Sequence, residues 1–249
     1  MAERIDDLQL KDLKIIQDTS GFCFGVDAVL LSHMAQNAKG DNFIDLCSGN
    51  GIVAILLAAK TAAKKIYSVE ILKSQSDLAK RSIKLNNLSE RVEAVNMDLK
   101  NVSQYFKKSS FDAVTCNPPY MQPFGGIVNP KSEKAIARHE IACTLEDVIC
   151  AADYLLAPQG KLFLVHKPER LVDIFCLMRR YKIEPKRLCM VHPSSEKKAN
   201  IVLVEGVKNG GRDLKLEDPI YVYDNNGNYS EKINQIYRRD EYKGMNKDE

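Results

Sequence analysis

An α/β fold, one mainly parallel and doubly wound sheet with helices on both faces, is predicted by three features of the 249-residue chain. From about residue 42, short β-type runs alternate with longer helical patterns. A glycine-bearing turn joins the first of these strands to the helix after it. Polar and acidic residues stand at the carboxyl ends of successive strands. Alternation of this kind specifies a parallel sheet, because each crossover helix must pack back onto a sheet face.

The elements follow in order. Leu13–Gln17 and Gly21–Gly25 read as short strands, and Val26–Ala38 as a helix with Asp27 in its first turn, where a carboxylate suits the helix dipole. Asn42–Leu46 is the first core strand, and Ile52–Lys60 an apolar, Ala-rich helix. Lys65–Glu70 is the second strand, followed by a helix from Lys73 to Asn86 that Asn87 closes. Arg91–Met97 and Phe111–Cys116 are the third and fourth strands. The helix Leu145–Leu156 meets a stop signal at Ala157-Pro158-Gln159-Gly160. Lys161–His166 is the fifth strand, and Pro168–Tyr181 a helix with proline near its start. Arg187–His192 and Asn200–Val207 are the last two core strands; Pro219–Tyr223, the turn Asn225-Asn226-Gly227 and a helix from Ser230 complete the chain. One domain is expected, divided as an N-terminal extension packing on the cofactor site (1–41), a core (42–208) and a C-terminal strand and helix extension (209–249).

Composition narrows the class. Hydrophobic residues are 45% and charged residues 28%, as in ordinary globular proteins. No apolar run has the length of a membrane span and the first residues are not a signal peptide, so a cytoplasmic protein without membrane contact is expected. The seven cysteines form no Cys-x-x-Cys pair and lie mostly in apolar runs, which reads as reduced core thiols, with no metal site. The net charge of +3 is permissive for nucleic acid and no more. Basic pairs such as Lys107-Lys108, Arg179-Arg180, Lys186-Arg187 and Lys197-Lys198 are either a phosphate-facing surface or simply solvated faces.

The turn Asp45-Leu46-Cys47-Ser48-Gly49-Asn50-Gly51 permits positive φ and close approach of a ligand to the backbone. The third glycine of the dinucleotide fingerprint is missing, which argues against NAD. A carboxylate ahead of the turn suits a ligand with a cationic head better than a pyrophosphate. Glu70 ends the second strand about 20 residues further on, where an acid grips ribose hydroxyls. Asp98 follows the third strand, where it can accept from an adenine amine. Either acid alone fits a helix cap equally well; in this order, at successive strand ends, they form a cofactor cradle.

Asn117-Pro118-Pro119-Tyr120 follows the fourth strand. The Asn117 amide oxygen and the Pro118 carbonyl are both acceptors, and two prolines stiffen the loop that presents them. An exocyclic amine could donate both its hydrogens there while Tyr120 stacks on the base. Its lone pair is delocalised into the ring; accepting both hydrogens favours pyramidal nitrogen and localises that pair, a stabilisation that grows toward the transition state. Taken alone, the tetrapeptide fits a plain strand terminator equally well.

With these residues together, the chain resembles the class I S-adenosylmethionine-dependent methyltransferases, and among them the N6-adenine enzymes of the tRNA1(Val) adenine-37 type. Phe24-Gly25-Val26-Asp27-Ala28-Val29-Leu30-Leu31, Ala137-Arg138-His139-Glu140, Asn200 to Glu205 and Pro219-Ile220-Tyr221 also resemble that family. Cys47-Ser48 and Asn50 depart from it, since small Gly or Thr residues are commoner there. The resemblance implies a Rossmann-like seven-stranded methyltransferase sheet with short terminal extensions. It further implies that Phe24 and Asp27 close over the methionine end of the cofactor. Amides around Gly49 and Gly51, with Cys47 and Ser48, hold the methionine carboxylate, and Asp45 lies near the sulfonium or amino group. Glu70 takes the ribose, Asp98 the adenine, and Asn117 borders the cofactor as well as the acceptor.

The expected activity is methyl transfer from S-adenosylmethionine to N6 of an adenine in tRNA near the anticodon, with Asn117, Pro118 and Tyr120 catalytic and no general base. Tyr120, Arg138 and Lys197 are the substrate-binding candidates, the last two for phosphates. The segment Met121–Ala137 reads as a recognition flap. Single-stranded loop bases cost least to splay out, which favours an RNA loop over duplex DNA. A monomer is favoured. Alternatives are a glutamine-N5 methyltransferase of a release factor, disfavoured because only about 40 residues precede the first core strand, then a guanine-N2 rRNA methyltransferase, then a non-catalytic binding module.

Overall fold

The computed structural model describes residues 3–19, 24–119 and 143–237. An antiparallel hairpin of β1 (Glu3–Asp7) and β2 (Lys14–Asp18) comes first. Then follow α1 (Val26–Ala35), β3 (Asn42–Leu46), α2 (Ile52–Lys60), β4 (Lys65–Glu70), α3 (Lys73–Leu85), β5 (Val92–Asn96), α4 (Val102–Tyr105) and β6 (Phe111–Cys116). The rest is α5 (Leu145–Leu155), β7 (Leu156–His166), α6 (Leu171–Arg180), β8 (Ile183–His192), β9 (Ile201–Lys208), β10 (Lys215–Leu216), β11 (Ile220–Tyr221) and α7 (Glu231–Tyr237).

The main sheet runs β10-β8-β9-β7-β6-β3-β4-β5, with β11 also on β8. Its seven long strands are the predicted ones. Only β9 is antiparallel to its neighbours, β7 and β8. The order reverses between β3 and β6: β4 and β5 extend one way, β7 the other. Ligands of open α/β sheets bind in the crevice at such a reversal, outside the carboxyl ends of the strands. The pairing of Leu46 with Cys116 sets the residues after β3 and β6 side by side there.

The central strands are buried on both faces, which is why they read as continuous apolar runs rather than alternating ones. Successive residues go to opposite cores. Phe43, Phe163 and Leu203 pack with α1 and α2, while Ile44, Leu164 and Val204 pack with α5 and α6. Each such fully buried side chain contributes about 1.5–3 kcal/mol. α5 begins on a capping box: the Thr144 hydroxyl accepts from the Asp147 amide at 3.2 Å, and the Asp147 carboxylate accepts from the Thr144 amide at 2.8 Å.

Several expectations need correction. β7 begins at Leu156 rather than Lys161, and Ala157–Gly160 bulge out unpaired between the pairs Phe111–Leu156 and Ala113–Lys161, with Gln159 at φ 66°. β8 begins at Ile183 rather than Arg187, and a bulge between Pro185 and Arg187 absorbs the proline. α1 stops at Ala35. Phe24 and Gly25 are not in a strand, and the rest of the predicted strand 21–25 lies outside the described residues. Cys116, Cys143 and Cys189 are buried as expected, but Cys150 and Cys176 are exposed, on helix faces turned away from the core. No helix among the described residues is long and apolar enough to cross a membrane.

Candidate active site

The turn after β3 is built from the backbone inward. The Ser48 amide donates to the Val69 carbonyl at 3.0 Å, and the Gly51 amide closes the turn on the Ser48 carbonyl at 3.0 Å. Cys47, Gly49 and Gly51 all have positive φ, at 54°, 56° and 83°. At Gly51 a Cβ would meet the Ala79 Cβ at 3.0 Å, so glycine here serves both the backbone conformation and the approach of α3. At Gly49 a Cβ would point into open space. The Gly49 and Gly51 amides expected to hold a carboxylate are instead engaged, by Glu70 Oε2 and by the Ser48 carbonyl. α2 starts without a side-chain cap and without an acid in its first turn, so its own leading amides suit an anionic group.

Beneath the turn, Asp45 is 1% exposed. Ser48 Oγ donates to its Oδ2 at 2.5 Å and Thr115 Oγ1 to its Oδ1 at 2.6 Å, while Ser68 Oγ donates to Ser48 Oγ at 2.8 Å. Burial pushes the Asp45 carboxyl up to about 7, against the pull of the Ser48 and Thr115 hydroxyls, and the Glu70 charge adds to the rise. Both Asp45 oxygens are thus engaged by hydroxyls, and its link to the opening runs through Ser48.

Glu70, at the end of β4, accepts from the Gly49 amide through Oε2 and from the Leu72 amide through Oε1, both at 2.8 Å. Burial raises its pKa, with those two amides opposing. The Asn96 side chain donates to the Glu70 carbonyl at 2.8 Å and the Ile71 carbonyl at 2.9 Å, fixing the strand end. Ile71, 41% exposed, presents apolar surface next to Glu70. Asp98 is half-buried; it caps the short turn that follows by accepting from the Lys100 amide at 2.9 Å, and its carboxylate lies 3.4 Å from Lys100 Nζ.

Asn117 follows β6 and is half-buried, and its Nδ2 donates to Asp27 Oδ2 at 3.2 Å. Asp27 is itself 6% exposed and accepts from the Ala28 amide at 3.0 Å. The hairpin is tied to the same region: the Asn50 side chain donates to the Ile16 carbonyl at 3.2 Å, and the Phe24 amide to Gln17 Oε1 at 3.0 Å. Asp27, Asp45, Glu70 and Asn117, with the turn 47–51, are therefore gathered at one crevice. Pro118 is buried directly after Asn117. Tyr120, Arg138 and the flap 121–137 lie outside the described residues. Lys197 is exposed in the turn between β8 and β9, on the same sheet edge but three strands away from β6. Three arginines named among the basic pairs are taken up by carboxylates: Arg179 by Glu184, Arg180 by Glu146, and Arg187 by Glu205 and Glu217.

Residues missed in the sequence are Ser68, Thr115, Asn96 and Gln17, and the contact of Asn50 with Ile16 was not foreseen. For Ser68 and Thr115 a signal was present, since each is a polar residue inside an otherwise apolar strand. Cys47, Cys116 and Cys143 form a thiol cluster, with the Cys47 and Cys143 sulfurs 3.8 Å apart. The hydrogen bond between Cys47 and Cys116 holds the Cys47 pKa well above its ordinary value. Burial raises Cys116, and the bond to Cys47 raises Cys143. These thiols stay protonated and pack the site, with no thiolate nucleophile among them. Among the described residues no three His, Cys, Asp or Glu side chains are grouped to hold a metal.

The donor set fits a nucleoside carrying an amino acid. Carboxylates at two strand ends suit hydroxyls and an amine, a free helix start suits a carboxylate, and the open side of Gly49 admits close approach. Comparison with known proteins agrees. The family described as methyltransferase small domain matches residues 25–175, from the N-terminal side of α1 into α6. The tRNA1(Val) (adenine(37)-N6)-methyltransferase of Porphyromonas gingivalis is 27% identical over 206 residues, covering 80% of each chain. That of Aeromonas hydrophila is 26% identical over 229 residues, 91% of this chain and 93% of its own. Among solved structures, a predicted O-methyltransferase of Agrobacterium tumefaciens superposes with a TM-score of 0.69 at 19% identity, covering 86% of this chain and 96% of its own. The chain belongs to the methyltransferase small-domain family: it is a methyltransferase, with S-adenosylmethionine as its methyl donor.

Proposed function

We propose that this enzyme methylates the exocyclic N6 amine of an adenine in tRNA, at or beside the anticodon. The observation that carries the reading is Asn117 and Pro118 emerging from β6 at the crevice, one strand away from the glycine turn, with the Asn117 amide held by Asp27. Because Nδ2 donates to a carboxylate, Oδ1 is left as the acceptor for an incoming amine. Relatives named as tRNA1(Val) (adenine(37)-N6)-methyltransferases, at 24–29% identity, support the choice of base and of RNA.

S-adenosylmethionine supplies an electrophilic methyl group on a sulfonium when bound. The chain's own residues then have four tasks. The amides at the start of α2 hold a carboxylate and Glu70 holds ribose hydroxyls. Asp98 accepts from the cofactor adenine. Asn117 Oδ1 and the Pro118 carbonyl accept the two hydrogens of the substrate amine, which orients its lone pair toward the methyl. Alignment of the two reactants is the main rate contribution. The leaving group is neutral and needs no acid. The substrate nitrogen becomes acidic only once methylated, so its proton passes along the Asn117 and Pro118 acceptors to water.

The test is incubation of the purified protein with S-adenosylmethionine and unfractionated tRNA lacking the modification, followed by mass spectrometry of the nucleosides. N6-methyladenosine is the expected product. Unmodified tRNA alongside methylation of a release-factor glutamine would overturn the proposal.

A further inference from the structure

The proposed RNA substrate needs a surface beyond the crevice, and the end of β8 carries one. Tyr221 pairs with His192 in register as β11 adds to β8. The Val222 and Tyr223 amides continue the contact, donating to the His192 and Pro193 carbonyls at 2.9 Å each. Extended backbone sends alternate side chains to opposite faces. Ile220 and Val222 accordingly enter the core, while Tyr221 and Tyr223 stay 38% and 42% exposed on one face.

His192 joins these rings to a basic turn. Its ring lies 5.3 Å from the Tyr221 ring, and its Nδ1 is 2.8 Å from the Lys197 carbonyl. The Lys197 amide in turn donates to the Ser194 carbonyl at 3.2 Å, so the turn has a fixed shape. Lys197 and Lys198 are exposed, and no ion pair among the described residues engages either of them. Glu196 is the acid within the turn. Asp224, the nearest acid on the tyrosine strand, accepts from the Asn226 and Asn228 amides at 2.8 and 2.9 Å. Tyr223 is backed by Tyr229, their rings stacked at 5.3 Å and 11°.

We infer that Tyr221, Tyr223, His192, Lys197 and Lys198 form a docking platform for single-stranded RNA flanking the target base. Two rigid aromatic faces beside two cations are what sequence-tolerant single-strand binding requires: stacking for bases, charge for phosphates. Neither ring needs a hydrogen bond to a particular base. The platform lies on the carboxyl edge that also carries Asn117, and β8 is three strands from β6 in the order β8-β9-β7-β6. At about 4.8 Å per strand that is on the order of 15–20 Å to the tyrosines. It corresponds to about five stacked nucleotides at 3.4 Å each. A loop whose target base enters the crevice would therefore lay its flank on the tyrosines. The inference rests on the proposed function and adds where the RNA is held.

The experiment measures affinity for a labelled anticodon stem-loop RNA across a salt series, with calorimetric S-adenosylmethionine affinity and thermal unfolding as controls. Tyr221→Ala is expected to weaken RNA binding about tenfold with the salt slope unchanged, since stacking is not electrostatic. Lys197→Glu with Lys198→Glu is expected to weaken it at least tenfold and to flatten the log–log slope by about 1.4. Tyr221→Phe should bind like the wild type, because the ring and not the hydroxyl is used. All three side chains are exposed, so cofactor affinity and unfolding should not move. Wild-type RNA affinity in both the Tyr221→Ala and the lysine variants would overturn the platform while leaving the methylation reading intact. A wild-type protein that neither binds nor methylates RNA would overturn both.

Discussion

Asn117 donates its side-chain N–H to the carboxylate of Asp27, across 90 residues of chain, at 3.2 Å. A free asparagine can present either its oxygen or its NH2 group to a neighbour, and only the oxygen can accept from an amine. Asp27, buried in the first turn of α1, settles that choice before any substrate arrives. Asp27→Ala should therefore lower kcat by about 100-fold, the scale of a small misplacement at a reacting centre. Adding Asn117→Ala should cost little more, as for residues acting as a unit. Additive losses in that double-mutant cycle would separate the two residues.

Asn117→Ala removes one acceptor of the proposed amine clamp. Methyl transfer should fall by about 10²–10³-fold, as when one donor of a preorganised site is deleted. Calorimetric binding of S-adenosylmethionine should persist. Joint loss of binding and turnover would mean that Asn117 serves the cofactor and not the acceptor.

Glu70→Ala acts on two levels. It takes away the proposed ribose contact, and it leaves the Gly49 and Leu72 amides without their acceptor. Cofactor affinity should drop at least tenfold, with a stability loss of about 1–3 kcal/mol for the amides left unpaired. Denaturant unfolding and calorimetry measure the two separately. Unchanged affinity would remove the ribose role.

Asp45 makes stability depend on pH in the direction opposite to an ordinary paired carboxylate. Its folded pKa is about 7 against an ordinary value of 3.8, so between these limits the folded state keeps a proton that the unfolded chain has lost. Its contribution to stability is accordingly full below about pH 4 and lost as the pH rises through 7. Asp45→Asn carries no such titration. The stability of the variant relative to the wild type should rise from pH 4 to 7 and level off above. A difference independent of pH would show that Asp45 ionises normally in place.

The core of the fold was legible because its strands are short apolar runs and the helices between them are long enough for period 3.6. What escaped notice was local structure held by distant partners. β1, Glu-Arg-Ile-Asp-Asp, has no β signature and is a strand only by pairing with β2. Ala157–Gly160 carries every mark of a turn and does bulge out, but β7 already starts at Leu156, because Phe111 of β6 pairs with it across that bulge. At the site, Asp45, the glycine turn, Glu70 and Asn117 were readable as strand-end chemistry. Their second partners, Thr115 under Asp45, Asp27 beside Asn117 and Ile16 against Asn50, are 70, 90 and 34 residues distant in sequence. No spacing rule reaches that far; only the sheet order brings them together.

The pairing of Leu46 with Cys116 has an evolutionary corollary. The glycine turn after β3 and Asn117 after β6 are offset by one inter-strand spacing, about 4.8 Å, a dimension fixed by the backbone ladder and indifferent to side chains. On the proposed function, the residues that follow Pro119 can thus be exchanged, and the acceptor molecule with them, while Asn117 and Pro118 keep the nitrogen in line. One residue inserted inside β3 or β6 would instead slide one half of the machinery past the other and turn every buried side chain of that strand to the wrong face. Such an architecture invites new substrates by loop replacement and forbids them by strand editing.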